Sequence, residues 1–146
     1  MSHVRQQIRD RIATLVTGLP LTGTRVYKMR SYALDKDKLP ALLVYTLNET
    51  SSLITIGTRT LRRNLNVAVE AIASGTADIH DTVDAICVDV EEAIAADFSL
   101  SGLVKSCVLT NTEIDVLTEG ERPISSARLT FDVQYVTAID NVETAR

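Results

Sequence analysis

The sequence has few of the residues on which catalysis, metal binding and base stacking usually depend. Aromatic residues make up only 4% and tryptophan is absent, which disfavours a nucleic-acid-binding protein that stacks bases on rings. The two cysteines, Cys87 and Cys107, form no CxxC pair and indicate neither a disulfide framework nor a zinc site. No window holds the roughly 20 apolar residues of a membrane span. No apolar run opens the chain, so we expect no signal peptide, no membrane partner and a reducing cytoplasm.

The familiar catalytic and ligand-binding motifs are also missing. The six glycines form neither a GxGxxG pattern nor a Walker A loop. His80 and Asp84 are one helical turn apart, but a third metal ligand is lacking, so a surface ion pair is the favoured interpretation. We therefore predict no catalytic residue, no cofactor and no metal. A small enzyme whose site forms only in three dimensions, around His80 or Cys107, is the alternative.

Charge is distributed unevenly along the chain. Residues 1–63 contain eleven Lys or Arg and four acids, a balance of +7, whereas residues 64–146 contain four basic residues and fifteen acids, a balance of −11. The length predicts one domain over 1–146, with a flexible end at about 140–146. Either the two halves neutralise each other within one subunit, or the basic half binds the acidic half of a neighbour. The second arrangement is a head-to-tail contact that can close into a ring.

Helix and strand signals alternate through the first half of the chain. Val4, Ile8 and Ile12 recur at helical spacing after Ser2, which is suited to cap the helix. The polar stretch Asn48–Ser52 is predicted to be a turn between two apolar strand segments. The elements predicted here are a helix at 3–17, a short strand at 25–28, an exposed loop at 29–39, a central strand at 41–47 and a strand at 53–56.

The longest strand signal is at 60–73, TLRRNLNVAVEAIA. Its apolar residues alternate with polar ones, so that Leu65 and Val67 are expected to face the core and Arg62 to face away. With the preceding segment, the strand predicts a β-hairpin over Thr46–Arg63 that projects from the sheet. The arginines of this region could contact phosphate, but without aromatic neighbours they are at least as well suited to be an interface with another protein: Arg59, Arg62 and Arg63.

A second helix is predicted from about Asp78 to Ala96. Its apolar residues form one stripe. Seven acids and no Lys or Arg lie between Asp78 and Asp97, and most of these acids are on the side opposite the stripe. Val88 is placed among them on the outer face. This residue and two nearby acids form a second candidate interface: Val88, Glu91 and Glu92.

Two strands complete the pattern, one at 103–117 with an irregularity and one at 124–136, joined by a polar turn. Two amphipathic helices each need a surface to cover, and strands with one apolar face provide it. The sequence therefore predicts an α+β fold. We expect a mostly antiparallel β-sheet with two α-helices packed on one face and a projecting β-hairpin.

The order of the elements and two short stretches resemble a known family. LPALLVYTLNET, at 39–50, is followed by a long strand carrying RNLNVAVEAIA, at 63–73, and then by an acidic helix and two terminal strands. This arrangement is similar to the tail terminator proteins of long-tailed bacteriophages, the minor tail protein U-like group and its tail-completion relatives. The resemblance covers nearly the whole chain and implies the same fold as the periodicity does.

The resemblance implies a structural protein of the virion with no catalytic residues. Such proteins form a six-membered ring that caps the head-proximal end of the tail tube, ends its polymerisation and provides the surface that joins the head. The implied partners are further copies of the chain, the tail tube protein and the head–tail connector or head completion protein. DNA passes through the lumen without specific binding, and assembly occurs in the host cytoplasm. Another head–tail connector, a neck completion protein or a tail-tube subunit are the alternatives within virion assembly.

Overall fold

The computed structural model of the protein describes residues 2–30, 39–57, 59–75, 78–117 and 123–146. Two helices and five strands lie in these ranges. In chain order they are α1 (Val4–Leu15), β1 (Val26–Tyr27), β2 (Ala41–Thr55), β3 (Thr60–Ser74), α2 (Ile79–Ala95), β4 (Ser106–Leu117) and β5 (Ile124–Ala138). Most of the predicted loop at 29–39, and the turn between β4 and β5, lie outside the described residues.

The five strands form one sheet in the order β1-β2-β3-β5-β4. β1 is parallel to β2 and pairs with it only at Leu42 and Leu43, whereas all other neighbouring strands are antiparallel. β3 pairs with β5 over all fifteen of its residues. The mostly antiparallel sheet that the sequence predicts is confirmed, and the two strands with the clearest alternation, β3 and β5, are neighbours at its centre.

Both helices pack on the same face of the sheet. Val4, Ile8 and Ile12 of α1 are fully buried, as is most of the apolar stripe of α2. Burying each such side chain stabilises the fold by roughly 1.5–3 kcal/mol. The sheet residues beneath the helices are Leu42, Val44, Leu65, Val67, Val69, Ala71, Ala127, Leu129, Phe131, Val133 and Tyr135. The predicted α+β fold with two helices on one face is confirmed.

β2 is covered on both faces where it is most apolar. Leu42 and Val44 lie under the helices. Leu43 and Tyr45 are on the opposite face, where they are 2% and 5% exposed in a small cluster with Ala68. The central strand predicted at 41–47 is therefore present and is buried on both sides, as a continuous apolar run indicates.

The turn predicted at Asn48–Ser52 is wrong, because these residues lie inside β2 and pair with β3. A shift in register between Thr46 and Asn48 leaves Leu47 as an extra residue on β2. Such a bulge bends a strand without ending it, so a polar stretch can continue the ladder. It also changes which residues face the helices, and Glu49 comes to lie opposite the buried Leu65.

The hairpin of β2 and β3 extends past the end of β4, and β5 pairs with β3 up to Thr60 at its outer end. The first residue of β4, Ser106, is level with Gln134 of β5, and therefore with Asn64 of β3 and Thr50 of β2. The hairpin continues past this level to the connection between β2 and β3, accompanied by β5 alone among the strands. Its end is consequently available for contacts with other molecules.

The N-terminal cap of α1 is His3, not the predicted Ser2. The Nδ1 atom of His3 accepts a hydrogen bond of 3.0 Å from the backbone N–H of Arg5. Burial, together with the positive charges of Arg5 and Arg63, lowers the pKa of His3, which favours the neutral ring that can accept this bond. The carbonyl of Ser2 instead accepts a hydrogen bond from the side chain of Gln7 at 2.8 Å.

The end of the chain contacts β5 and the hairpin. The backbone N–H of Arg146 donates to the carbonyl of Val136 at 2.8 Å, and the N–H of Ile139 donates to the carbonyl of Arg59 at 2.9 Å. These bonds place the last residues beside the outer end of the hairpin. The flexibility expected at about 140–146 stays a prediction, which amide exchange would test.

Candidate assembly surfaces

The outer end of the hairpin combines exposed apolar side chains with unpaired positive charge. We call the residues Leu53, Ile54, Ile56, Arg59 and Arg62 the hairpin tip. The exposed fraction is 85% for Ile56, 47% for Leu53 and 42% for Ile54. The side chains of Arg59 and Arg62 are exposed and form no ion pair or hydrogen bond within the described part of the chain. Large apolar side chains exposed near the end of a hairpin are candidates for burial against another molecule.

Arg63 does not share this environment, although it adjoins Arg62 in sequence. It lies on the helix-covered face of β3 and is 9% exposed. Its Nη1 atom is 3.2 Å from the Oε2 atom of Glu49, and its Nε atom donates to the hydroxyl of Thr137 at 3.0 Å. The structure therefore places two of the three predicted interface arginines at the tip. The side chain of the third, Arg63, points towards the interior of the subunit.

Glu49 is the centre of a buried polar cluster that the sequence analysis missed. Its side chain is 9% exposed, and Oε2 also accepts a hydrogen bond from Nη1 of Arg5 at 2.8 Å. Oε1 accepts a hydrogen bond from the hydroxyl of Tyr135. Burial and this bond raise the pKa of Tyr135 well above its usual value. The cluster fastens the N-terminal turn of α1 to the hairpin.

A cleft of about 200 Å³ opens beside this cluster. The residues lining it are Arg5, Thr46, Leu47, Asn48, Glu49 and Leu65. Its two charged groups, Arg5 and Glu49, are already paired with each other. The described residues that line the cleft include no Cys, Ser or His.

The outer face of α2 carries unpaired negative charge around an exposed apolar residue. We call the residues Asp81, Asp84, Val88, Glu91 and Glu92 the acidic face. Val88 is 52% exposed, so its predicted position on the outside of the helix is confirmed. The four acids are exposed, and none of them forms an ion pair with another described residue.

Five ion pairs form between described residues, and one of them joins the basic half of the chain to the acidic half. That pair links Arg11 of α1 to Asp97, with Nη2 and Oδ2 2.9 Å apart. The other four lie within one half: Arg5–Glu49, Arg63–Glu49 and Lys28–Asp10 in the first, and Arg128–Glu113 in the second. Direct pairing within the described residues therefore leaves most of the charge asymmetry of the sequence uncompensated.

The second face of the sheet, which we call the open face, carries no described helix and has a polar network. The hydroxyl of Tyr45 donates to Oε1 of Glu70 at 2.9 Å, and the guanidinium of Arg128 donates to Glu113. The strand register places four acids and two arginines on this face: Glu70, Glu113, Asp115, Asp132, Arg62 and Arg128. The strands thus give the open face a net negative charge.

The two cysteine side chains are buried, and burial raises the pKa of each thiol. Burial, with the charge of Asp132, raises the pKa of the Cys107 thiol to about 12. Burial, with nearby acids, raises that of Cys87 to about 11. Both thiols are therefore protonated at neutral pH, whereas the thiolate is the nucleophile.

His80 is exposed on α2, and the surface ion pair predicted between His80 and Asp84 is not present among the described residues. Across the described ranges, no three His, Cys, Asp or Glu side chains are grouped closely enough to hold a metal ion. No helix in those ranges is long and apolar enough to cross a membrane.

Comparison with known proteins identifies no family. No protein-family model matches the chain, and no curated protein matches it. Among solved structures, one described as "Virion of native gene transfer agent (GTA) particle" is similar over 90% of this chain and 92% of that chain. The identity is 15% and the TM-score is 0.37. A likeness this distant carries no argument about function, so the proposal below depends on the chain's own surfaces and on its resemblance in sequence.

Proposed function

We propose that the protein is a structural component of a phage-like virion. In this proposal it is a tail terminator, which forms a ring, of six copies, on the head-proximal end of the tail tube. The order of elements and the LPALLVYTLNET and RNLNVAVEAIA stretches support the family. The observation that carries the proposal is the separation of charge: one subunit has an unpaired basic tip and an unpaired acidic face.

The two surfaces are suited to contact each other between neighbouring copies. The hairpin tip has Ile56 at 85% exposure beside two free arginines, and the acidic face has Val88 at 52% exposure among four free acids. Each surface thus combines an apolar centre with charges of one sign, and the signs are opposite. Because the surfaces are different, the contact is head-to-tail, the type that generates a closed ring when the rotation between subunits permits.

The ring would have to let DNA pass without holding it. Duplex DNA carries dense negative charge and binds surfaces rich in Lys and Arg. The open face of the sheet has four acids and two arginines on its strands, and the guanidinium of Arg30 lies over the Tyr45 ring on the same face. A lumen lined by this face would repel the phosphates weakly, which suits passage without specific binding.

The remaining partners in the proposal lie above and below the ring. They are the tail tube protein on one side and a head–tail connector or head completion protein on the other. A neck completion protein or a tail-tube subunit would use similar surfaces. Cross-linking in intact particles separates these possibilities, because a terminator contacts both the last tube ring and the head-side partner.

Native mass, measured by light scattering with and without purified tail tube protein, tests the proposed function. We expect the chain to form a ring, alone or at the tube end, and to stop tubes from growing when added during polymerisation. Tubes of unchanged length, and a chain that stays monomeric in their presence, would contradict the proposal.

Charge reversal tests the contact itself. Arg62→Glu and the pair Glu91→Arg with Glu92→Arg should each prevent assembly, and the three substitutions combined should restore it because the attraction is re-formed with reversed signs. Lys28→Glu is the matched control. Lys28 is half exposed, its ion pair with Asp10 is on the surface, and it belongs to neither surface, so this variant should assemble normally.

A further inference from the structure

Among the described residues, each side of the sheet ends in a border with no further strand beside it. β4 is twelve residues long and pairs with β5 alone among the described strands. β1 pairs with β2 only at Leu42 and Leu43, so Val44–Thr55 has no strand on its outer side in the described part of the chain. Unpaired backbone N–H and C=O groups along such borders are a template for pairing with another chain.

β4 lacks most of the features that protect an exposed edge from pairing. It contains no proline and no lysine, and its one irregularity is a shift in register between Leu109 and Asn111. Apolar side chains are exposed on both of its faces: Val108 by 56%, Ile114 by 56% and Val116 by 45%. β4 also carries Glu113 and Asp115, but a long edge with exposed apolar side chains on both faces remains suited to be buried against a partner strand.

We propose that β4 of one copy pairs with the outer edge of β2 in the next copy, so that the sheets of neighbouring subunits become continuous. This inference rests on the proposed ring and assigns its backbone contact. β4 runs antiparallel to β5, β5 to β3, and β3 to β2. If a second copy is placed beside β4 with its helices on the same side of the sheet, its β2 runs antiparallel to β4 of the first copy. The open stretch of β2 has Leu53 and Ile54 about half exposed, at 47% and 42%.

The register of the sheet defines the displacement that this pairing needs. Thr112, near the middle of β4, is level with Leu129 of β5 and Val44 of β2, whereas the middle of the open stretch of β2 is near Thr50. The next copy must therefore be shifted by about five residues along the strand direction, or about 17 Å at the rise of a β-strand. Sheets that close on themselves require a stagger of this kind.

The same shift brings the neighbour's hairpin tip to the end of the sheet where β4 begins. α2 starts after β3 at the opposite end and finishes towards this one, and the N–H of Lys105 joins the chain to Gln134 at 2.7 Å just before β4. Glu91 and Glu92 lie in the second half of α2. The strand pairing therefore brings the neighbour's tip level with the second half of α2 along the strand direction, while Arg62 faces the open side of the continuous sheet.

Amide hydrogen exchange on the full chain, compared before and after assembly, tests the pairing directly. We expect peptides covering 106–117 and 44–55 to exchange at least ten times more slowly in the assembled form. Rings whose β4 amides exchange at the rate of the free subunit would overturn the strand pairing and leave the proposed ring intact. Failure of the chain to assemble, with or without tail tubes, would overturn both.

Substitution at the edge provides an independent measurement. Ile114→Lys and Val108→Lys place a charge on either face of β4, and because both side chains are exposed the folded subunit should be retained, as circular dichroism would show. We expect each to raise the protein concentration needed for assembly at least tenfold. Leu21→Lys is the control, since Leu21 is 39% exposed and lies outside the sheet. Equal assembly of the edge variants and the control would overturn the inference.

Discussion

Glu49 is a single carboxylate on which three distant parts of the chain converge. Arg5 and Tyr135 are 44 and 86 positions away from it in sequence, and Arg63 reaches it from the neighbouring strand. A buried charge is tolerated only when it is paired and hydrogen-bonded, because its desolvation is otherwise costly. The contacts of Glu49 satisfy that condition, and they make the cluster sensitive to any change in one partner.

Two adjacent arginines provide a matched test of this sensitivity. Arg63→Glu places a second carboxylate beside Glu49 and removes one of the two cations that compensate it, so we expect the free energy of unfolding to fall by about 3–5 kcal/mol. Arg62→Glu, on the exposed side of the same strand, should change it by less than about 0.5 kcal/mol. Urea denaturation of both variants measures the difference, and equal stabilities would show that the two side chains have equivalent environments.

The cysteines give a second prediction at the scale of single residues. The pKa values of Cys87 and Cys107 are raised to about 11 and about 12, so both thiols remain protonated below those values and the thiolate fraction at pH 8 is very small. We expect both to react with a thiol reagent at pH 8 at least 100 times more slowly than free cysteine. In guanidinium chloride both should react at once. A fast thiol in the folded protein would revive the catalytic alternative at Cys107.

At the scale of elements, β3 separates an internal face from an external one. Val67 is fully buried beneath the helices, whereas Val88 of α2 is exposed. Val67→Asp should therefore unfold most of the protein, because an unpaired buried charge costs several kcal/mol and total stability is typically about 5–15 kcal/mol. Val88→Asp is the same change on an exposed face and should leave the far-UV circular dichroism unchanged. A soluble, native-like Val67→Asp variant would contradict the assignment of faces.

The elements that the sequence predicts well are those with an uninterrupted period. β3, β5 and α2 each show one periodicity along their length, and their buried residues follow it. β2 was predicted as two segments because Asn48–Ser52 has the composition of a turn, while the bulge at Leu47 that keeps it paired leaves no periodic signal. Glu49 was missed for the same reason, since its inward direction depends on that bulge.

Interface residues were only partly predictable, because the direction in which a side chain points depends on its position in the folded strand or helix. Sequence proximity grouped Arg63 with Arg62, but adjacent residues of a strand point to opposite faces. Val88 was placed correctly because α2 has an unbroken helical period. The open edge of β4 was not predictable at all, because the order of strands within a sheet is a property of the folded chain.

For the molecule as a whole, the separation of free charge predicts an assembly that depends on ionic strength. The Debye length falls from about 10 Å at 0.1 M salt to about 3 Å at 1 M, which screens the attraction between the hairpin tip and the acidic face. We expect the concentration needed for assembly to rise at least tenfold over this range. Light scattering at several salt concentrations measures it, with the urea midpoint of the subunit as the control for folding. Assembly that is unchanged or stronger at 1 M salt would contradict an electrostatic contact.

The cluster at Glu49 also has a mechanical consequence. It ties the hairpin to the first turn of α1, and two turns later Arg11 of the same helix is tied to Asp97, just beyond α2. α1 therefore connects the hairpin of β2 and β3 to the end of α2 through one ion pair at each end of the helix. We expect a force that a neighbouring molecule applies to the hairpin to be transmitted through α1 to Asp97 and the end of α2. Bending of the strands is expected to absorb less of it. A displacement of the hairpin tip would then also displace the acidic face.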